Sequence, residues 1–427
     1  MTGLRRFKKY MLKTFLAGGL AAAAFTVWYA DRMIPDHFSI VEDQVEAFRF
    51  PGLIDSTLFS ESEEVALGNG SDIPAEEIRI TRDQTFTMYA SDKGSYQLNL
   101  KLFGIFPLKN IQVDVVDTQY AVPCGLPVGI YLKSDGVMVI GTGEVAGPDG
   151  SSSEPSLGIL QSGDYILAAG GVPLESKEDL IRAVEASSGR EMVLSVRRQD
   201  QEFDVKVTPA RDSGGSCKLG VWVRDDTQGI GTMTYVDTNG RFGALGHGIS
   251  DTDTGRLVQI QDGSLYETAI MGIEKGSAGK PGVMSGVIYY GPGSSLGSIA
   301  ANTEEGVFGA VDARFADQLE AEPLEIGYKQ DVREGPAVIR SSVSGTPKDY
   351  AIEIERVDYS AGKTGKSMVI RVTDPELLAL TGGIVQGMSG SPIIQDGRLI
   401  GAVTHVFIQD SSRGYGIFIE HMLENCQ

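Results

Sequence analysis

The chain has 427 residues, more than one hydrophobic core usually organises, so it should hold two to three domains of roughly 100 to 200 residues each. Apolar residues make up 41% and charged residues 22%, close to globular averages, whereas its 54 glycines are nearly double the usual share of about 7% and predict many turns and a β-rich fold. The formal charge is −20, and since residues 1–30 hold five basic side chains and no acid, the remainder carries 32 basic against 57 acidic, which excludes a phosphate-tracking nucleic-acid binder.

Four histidines and three cysteines, with no CxxC pair and no HExxH, leave no ligands at zinc or iron–sulfur spacing. No cofactor is expected, and acid–base chemistry must rest on very few histidines. Cys124, Cys217 and Cys426 are too few and too widely spaced for a disulfide framework and read as structural.

Arg5, Arg6, Lys8, Lys9 and Lys13 precede seventeen uncharged residues from Thr14 to Ala30, about 25 Å as a helix, just enough to cross a bilayer. The basic near side and the acids from Asp31 onward predict a cytoplasmic amino end and an extracytoplasmic bulk. A cleaved signal peptide, with its short alanine-rich apolar region, is the alternative for residues 1–30. Residues 31–75 show no sustained period and are expected to be a stalk with short structured pieces. From Glu77 the chain alternates (Tyr96, Leu98, Leu100, Leu102; Ile111, Val113, Val115), as half-buried strands do, so residues 31–117 should hold a stalk and a small β unit.

Residues 118–210 run as a glycine/proline loop CGLPVG, a strand IYL, an Asp135-Gly136 turn, a strand VMVIGTGEV and then LQSGDYILAAGGVPLES. A helix follows, with Ser176 and Asp179 as a capping signal and Leu180, Ile181 and Val184 on one face. The order resembles a PDZ domain, with Gly163, Asp164, Ile166, Leu167 and Gly171 matching its typical stretch. In such a domain Ile130, Tyr131 and Leu132 would form an exposed sheet edge beside the helix. A peptide end, such as one from the protein's own cleaved chain, would add there as a strand, its carboxylate held by the Gly125–Gly129 loop. The bland alternative is that the protein's own chain fills this groove and braces the fold. After the linker PARDSGGS, residues 211–427 are strand-like and glycine-punctuated, with an Asn239-Gly240 turn, and predict a closed barrel or sandwich with few long helices.

GMSGSP at Gly387–Pro392 has the Gly-x-Ser-Gly-x-Pro pattern of the loop in which chymotrypsin-like proteases seat their nucleophile. Its glycines permit a tight turn that aims the amides of Gly387 and Ser389 at one oxyanion. The base must be a histidine. His37 lies in the stalk and His421 in a helical-looking end, which leaves His247, followed by glycine, and His405, inside the apolar run AVTHVF. A third group must orient the base; Asp251, Asp253, Asp312 and Asp374 all qualify by order, and spacing alone favours Asp312. His405 reads either as a core histidine or as a wall of the S1 pocket, where it would donate to a polar P1 side chain.

The anchor, the PDZ-like order, GALGHGISD, VTDPELL and GGIVQGMSGSPIIQDGRLIGAVTHV together resemble the SpoIVB peptidase (stage IV sporulation protein B) family over nearly the whole chain. The resemblance implies a triad of Ser389, His247 and Asp374 on a mainly β fold, with a chymotrypsin-like protease domain behind a PDZ-like one. It also implies a membrane-tethered or released signalling protease, exported from the forespore into the intermembrane space and processing itself. Its substrate would be a SpoIVFA-like regulator of an intramembrane metalloprotease, whose cleavage releases processing of a sigma-factor precursor. The alternative is a PDZ-mediated scaffold with an inactive protease-like barrel.

Overall fold

The computed structural model describes residues 34–49, 56–60, 62, 64–68, 77–80, 85–291, 293–362 and 365–426, together with 11, 13–15, 17–19, 21, 24, 25, 27 and 28. Ten of the seventeen residues of the expected anchor at 14–30 are described, all of them helical, and among the described residues no helix is long and apolar enough to cross a membrane.

The described residues between 34 and 117 form one β unit. A five-stranded sheet (His37–Val41, Phe106–Val116, Gly94–Leu102, Ser56–Ser60, Glu77–Ile80) and a three-stranded one (Glu46–Arg49, Thr85–Ala90, Val65–Gly68) share a core of Phe38, Ile40, Phe48, Leu58, Phe86, Leu98 and Val113. The expected stalk therefore supplies four strands. Each has four or five residues, too few for a period of two to show above its surroundings.

This unit docks on the rest of the chain through Val41, which shares a core with Tyr328 and Leu399. The Gln330 amide there donates to the Ser39 carbonyl and to Glu46 Oε2. Burial, opposed by the Val41 N–H bond and reinforced by Asp331, pushes the Glu46 carboxyl up from 4.5 to about 7. A raised folded-state value stabilises the protein below pH 4.5, and that stability is lost as pH rises through 7. Glu46→Gln keeps an acceptor for Val41 and removes the proton. Between pH 5 and 8 the wild type should lose on the order of 2 kcal/mol more stability than this variant in denaturant titrations; parallel curves would rule the coupling out.

Two closed six-stranded barrels follow. The first contains β1 (Tyr120–Thr142), β2 (Val221–Asp237), β3 (Arg241–Ala244), β4 (Ile260–Glu274), β5 (Ser295–Thr303) and β6 (Gly306–Val311). Its order is β1-β2-β3-β6-β5-β4, with β4 returning to β1. The second contains β7 (Gly335–Ser341), β8 (Lys348–Val357), β9 (Met368–Val372), β10 (Pro392–Gln395), β11 (Arg398–Val406) and β12 (Arg413–Phe418), closed as β7-β8-β9-β12-β11-β10. The strand order is the same in both. The Asn239-Gly240 turn joins β2 to β3 as expected, with Gly240 at φ 76° and its N–H on the Asp237 carbonyl.

The PDZ-like unit is an insertion in the first barrel. Its core (Val137, Val139, Ile166, Leu180, Val184, Leu194, Val196, Leu219) starts after residue 134 and ends near Val223. Its helix, α1 (Lys177–Ala186), is capped by Ser176, which accepts from the Asp179 N–H. The stretch 118–134, expected to open this unit, instead forms the first barrel strand, so the barrel begins before the insertion and resumes after it. The expected Asp135-Gly136 hairpin is absent: β1 runs through it, with Gly136 at φ 93° inside a register shift between Lys133 and Met138. A glycine at positive φ serves a bulge as well as a turn.

The expected peptide groove is therefore closed. Ile130 pairs with Gly229 on one side and Leu265 on the other, and Tyr131 and Leu132 are likewise paired on both. Ile130 and Leu132 lie in the core of the first barrel, where a charge at Ile130 would disrupt the barrel itself. Gly125 and Gly129 are packing positions. A Cβ on Gly125 would meet the Arg340 carbonyl oxygen at 2.7 Å, and one on Gly129 would run into Ile288. It is the protein's own strand β4 that fills this edge. Cys124 and Cys217 are free and buried in separate cores, and burial pushes the Cys124 thiol up to about 12.

Candidate active site

The nucleophile loop hangs between a short strand, Val385–Gln386, and β10. Gly387 (φ 102°) and Gly390 (φ 95°) take conformations that side chains rarely adopt, and a Cβ on Gly390 would collide with the Thr232 carbonyl oxygen. Thr232 of β2 pins the loop across the barrel interface: its N–H donates to the Ser389 carbonyl at 3.1 Å and its Oγ1 to the Gly387 carbonyl at 2.7 Å. The amides of Gly387 and Ser389, the expected oxyanion donors, take no part in these bonds.

His247 arrives from the first barrel. β3 is followed by Leu245 (φ 71°) and Gly246 (φ 69°), two consecutive left-handed residues that turn the chain out of the sheet, and Leu245 N–H donates to the Thr232 carbonyl. A non-glycine residue at positive φ costs on the order of 1–3 kcal/mol and is kept where its surroundings dictate it. Asn302 of β5 then fixes the following loop, accepting from Ile249 N–H at 2.8 Å and donating to the Ile249 and Val258 carbonyls at 2.9 Å. Asp251, buried in that loop, holds Arg224 at the exit from the PDZ-like insertion, and Asp253 holds the same guanidinium at 2.8 Å.

His247, Ser389 and His405 line one cleft of about 560 Å³ between the barrels, walled by apolar residues that include Ile230, Ile384 and Val406. His247 Nδ1 lies 2.9 Å from the Gly248 carbonyl. Only a protonated Nδ1 can donate there, which leaves Nε2 as the basic nitrogen. Burial holds the imidazole below its ordinary pKa, with the Gly248 bond opposing, so it is neutral at pH 7. Ser389 Oγ donates to the Thr404 carbonyl at 2.6 Å, and Thr404 Oγ1 donates in turn to Gly365. The His405 ring is exposed to the cleft, 4.9 Å from that of His247; burial, His247 and Lys366 depress its pKa. The core reading of His405 is overturned, because its strand is at the barrel's cleft-facing end.

The carboxylates are elsewhere. Asp374 is the N-cap of α2 (Pro375–Thr381): Oδ1 accepts from Glu376 and Leu377 N–H at 2.9 and 3.1 Å, and Oδ2 from Ala351 N–H at 3.3 Å. Burial raises its pKa, but these amides and Lys348 outweigh it and the net shift is downward. Asp312 precedes a short helix and accepts from Ser295, and Asp251 and Asp253 are taken by Arg224. None of the four lines the cleft. The structure thus brings His247, Ser389 and His405 together, and leaves Asp374 on its helix. Thr232, Asn302 and Thr404 were not expected; a lone Thr or Asn in a strand carries no local signal.

Two same-order barrels that present an imidazole and a serine hydroxyl to one interface cleft, with a PDZ-like insertion in the first, define a two-barrel peptidase architecture. Residues 215–423 match the SpoIVB peptidase S55 family, which supports reading the chain as a peptidase. Among solved structures it is similar to the PDZ domain of the SdrC-like protein of Listeria monocytogenes, at 21% identity over 21% of this chain and 87% of that one, TM-score 0.17. It is also similar to the inactive form of the Rv3671c protease, at 16% identity over 46% of this chain and 81% of that one, TM-score 0.23. No curated protein matches the chain.

Proposed function

We propose that this peptidase is a serine endopeptidase in which Ser389 Oγ attacks the scissile carbonyl and His247 Nε2 takes its proton. The observation that carries this reading is the meeting of Ser389 and His247, from different barrels, in one cleft. The amides of Gly387 and Ser389 are the oxyanion donors that the glycine turn makes available. In the resting arrangement the hydroxyl proton is given to Thr404, so Ser389 must rotate toward His247 before attack. Asp374, the third member by family resemblance, must leave its cap to reach the base. His405, beside His247, is placed to contact the substrate side chain at P1.

By the same resemblance, the chain acts outside the cytoplasm, tethered or released, processes itself, and cleaves a regulator of an intramembrane metalloprotease during sporulation. A fluorophosphonate probe tests the chemistry: the wild type should be labelled at Ser389 and Ser389→Ala should not, while an unlabelled wild type would favour the scaffold reading. Because a general base must be neutral and burial lowers the His247 pKa, the acid-side fall in labelling should be centred below pH 6.5. A rising limb centred above 6.5 would contradict the burial of the base.

A further inference from the structure

The hairpin made by the outer half of β4 and the strand Gly282–Ile288 belongs to neither barrel. Thr268–Glu274 of β4 pairs with Val283–Ile288, and the far side of that strand is paired only at Gly282 and Val283, in parallel, with Val385 and Gln386. The ladder stops because the chain after Gln386 turns into the nucleophile loop. Among the described residues no strand covers the outer side of Met284–Ile288.

This bare edge adjoins the cleft. Pro281, Val385, Gln386 and Gly387 line the cleft, and Met284 packs on Gly387, where an added Cβ would stand 2.6 Å from its Cε. Gly286 lies against Ile230, another lining residue. Proteins usually blunt an open edge with lysine, proline or inward charges. The sequence MSGVI has none of these, and Val283 and Val287 are 37% and 47% exposed on the same face as the exposed Ser285.

We propose that Met284–Ile288 is a docking edge on which an extended, uncharged stretch of the protein substrate adds as a further strand. The inference rests on the peptidase reading above. A polypeptide cut at Ser389 lies extended in the cleft, and where it passes Gln386 its backbone meets the edge that Val385 and Gln386 have just vacated. Main-chain bonds then supply sequence-independent affinity, and the exposed valines favour apolar or β-branched residues at alternate positions.

The test measures fluorophosphonate labelling of the full chain against increasing reduced, carboxamidomethylated ribonuclease A, an unfolded polypeptide that should shield Ser389. In Val287→Lys and in Ser285→Lys the half-protecting concentration should rise about tenfold while labelling without competitor is unchanged. Unchanged protection in both variants overturns the proposal. Slower labelling of a variant on its own also overturns it, by making this strand a support of the nucleophile loop. A wild-type dimer that the substitutions dissociate in sedimentation would assign the edge to a second copy instead. Wild type that is not labelled at all strikes the serine-peptidase reading, not the edge.

Discussion

His247→Ala and Ser389→Ala should each lower turnover by about 10⁶, and the double variant should be little worse than either, because in the proposed mechanism nucleophile and base act as one unit. The two side chains come from different barrels, and Thr232 joins those barrels by holding both the Ser389 and Gly387 carbonyls. Removing the imidazole leaves the hydroxyl on Thr404, a carbonyl that accepts a hydrogen bond and cannot carry a proton away. Removing the hydroxyl leaves a neutral imidazole with nothing to activate. Steady-state turnover of the three variants on one peptide decides this: losses that multiply would mean that the residues act independently, and the assignment would fail. Thr232→Val, nearly isosteric, should cost far less, since it removes only the Oγ1 bond to Gly387 and leaves the backbone one.

The parts legible in the sequence are those whose chemistry is local. GMSGSP is readable because the loop needs positive φ at Gly387 and Gly390, and helix α1 is readable because Ser176 caps it within three residues. What failed is long-range. Whether Ile130–Leu132 is a free edge or an inner strand depends on partners about 100 and 135 residues away, at Gly229 and Leu265. Nothing within IYL distinguishes the two cases, since the apolar Ile130 and Leu132 suit both. Asp135-Gly136 has the composition of a hairpin turn, and only the pairing of both flanks with β2 makes it a bulge. The insertion of one domain in a strand of another is invisible for the same reason: local order in the inserted unit is intact, and only the return of the chain to β1 reveals the host.

Asp374→Asn should lower turnover by about 10³ to 10⁴ while leaving the midpoint of thermal unfolding almost unchanged. Asp374 has one observed role, as a helix cap, and one proposed role, as the third member of the triad. As the N-cap of α2 its Oδ1 accepts from Glu376 and Leu377 N–H, which an asparagine Oδ1 also does, so that only the long 3.3 Å bond from Ala351 N–H to Oδ2 is lost, whereas alanine there should cost about 1 kcal/mol. As the orienter of His247 it must be an anion that accepts from Nδ1–H, and an amide can present the wrong group and stabilise the wrong tautomer. At present Nδ1 is satisfied by the Gly248 carbonyl, and the carboxylate is held by three amides whose bonds lower its pKa despite burial. Assembly of the triad thus requires that Asp374 exchange these amides for the imidazole. Lys348, which shifts the carboxylate in the same downward direction, is tied to Glu376, and the exchange would free neither. Turnover of Asp374→Asn equal to wild type, with stability retained, would make Asp374 a cap alone and leave His247 oriented by the backbone of its own neighbour, with His405 its closest side-chain companion in the cleft.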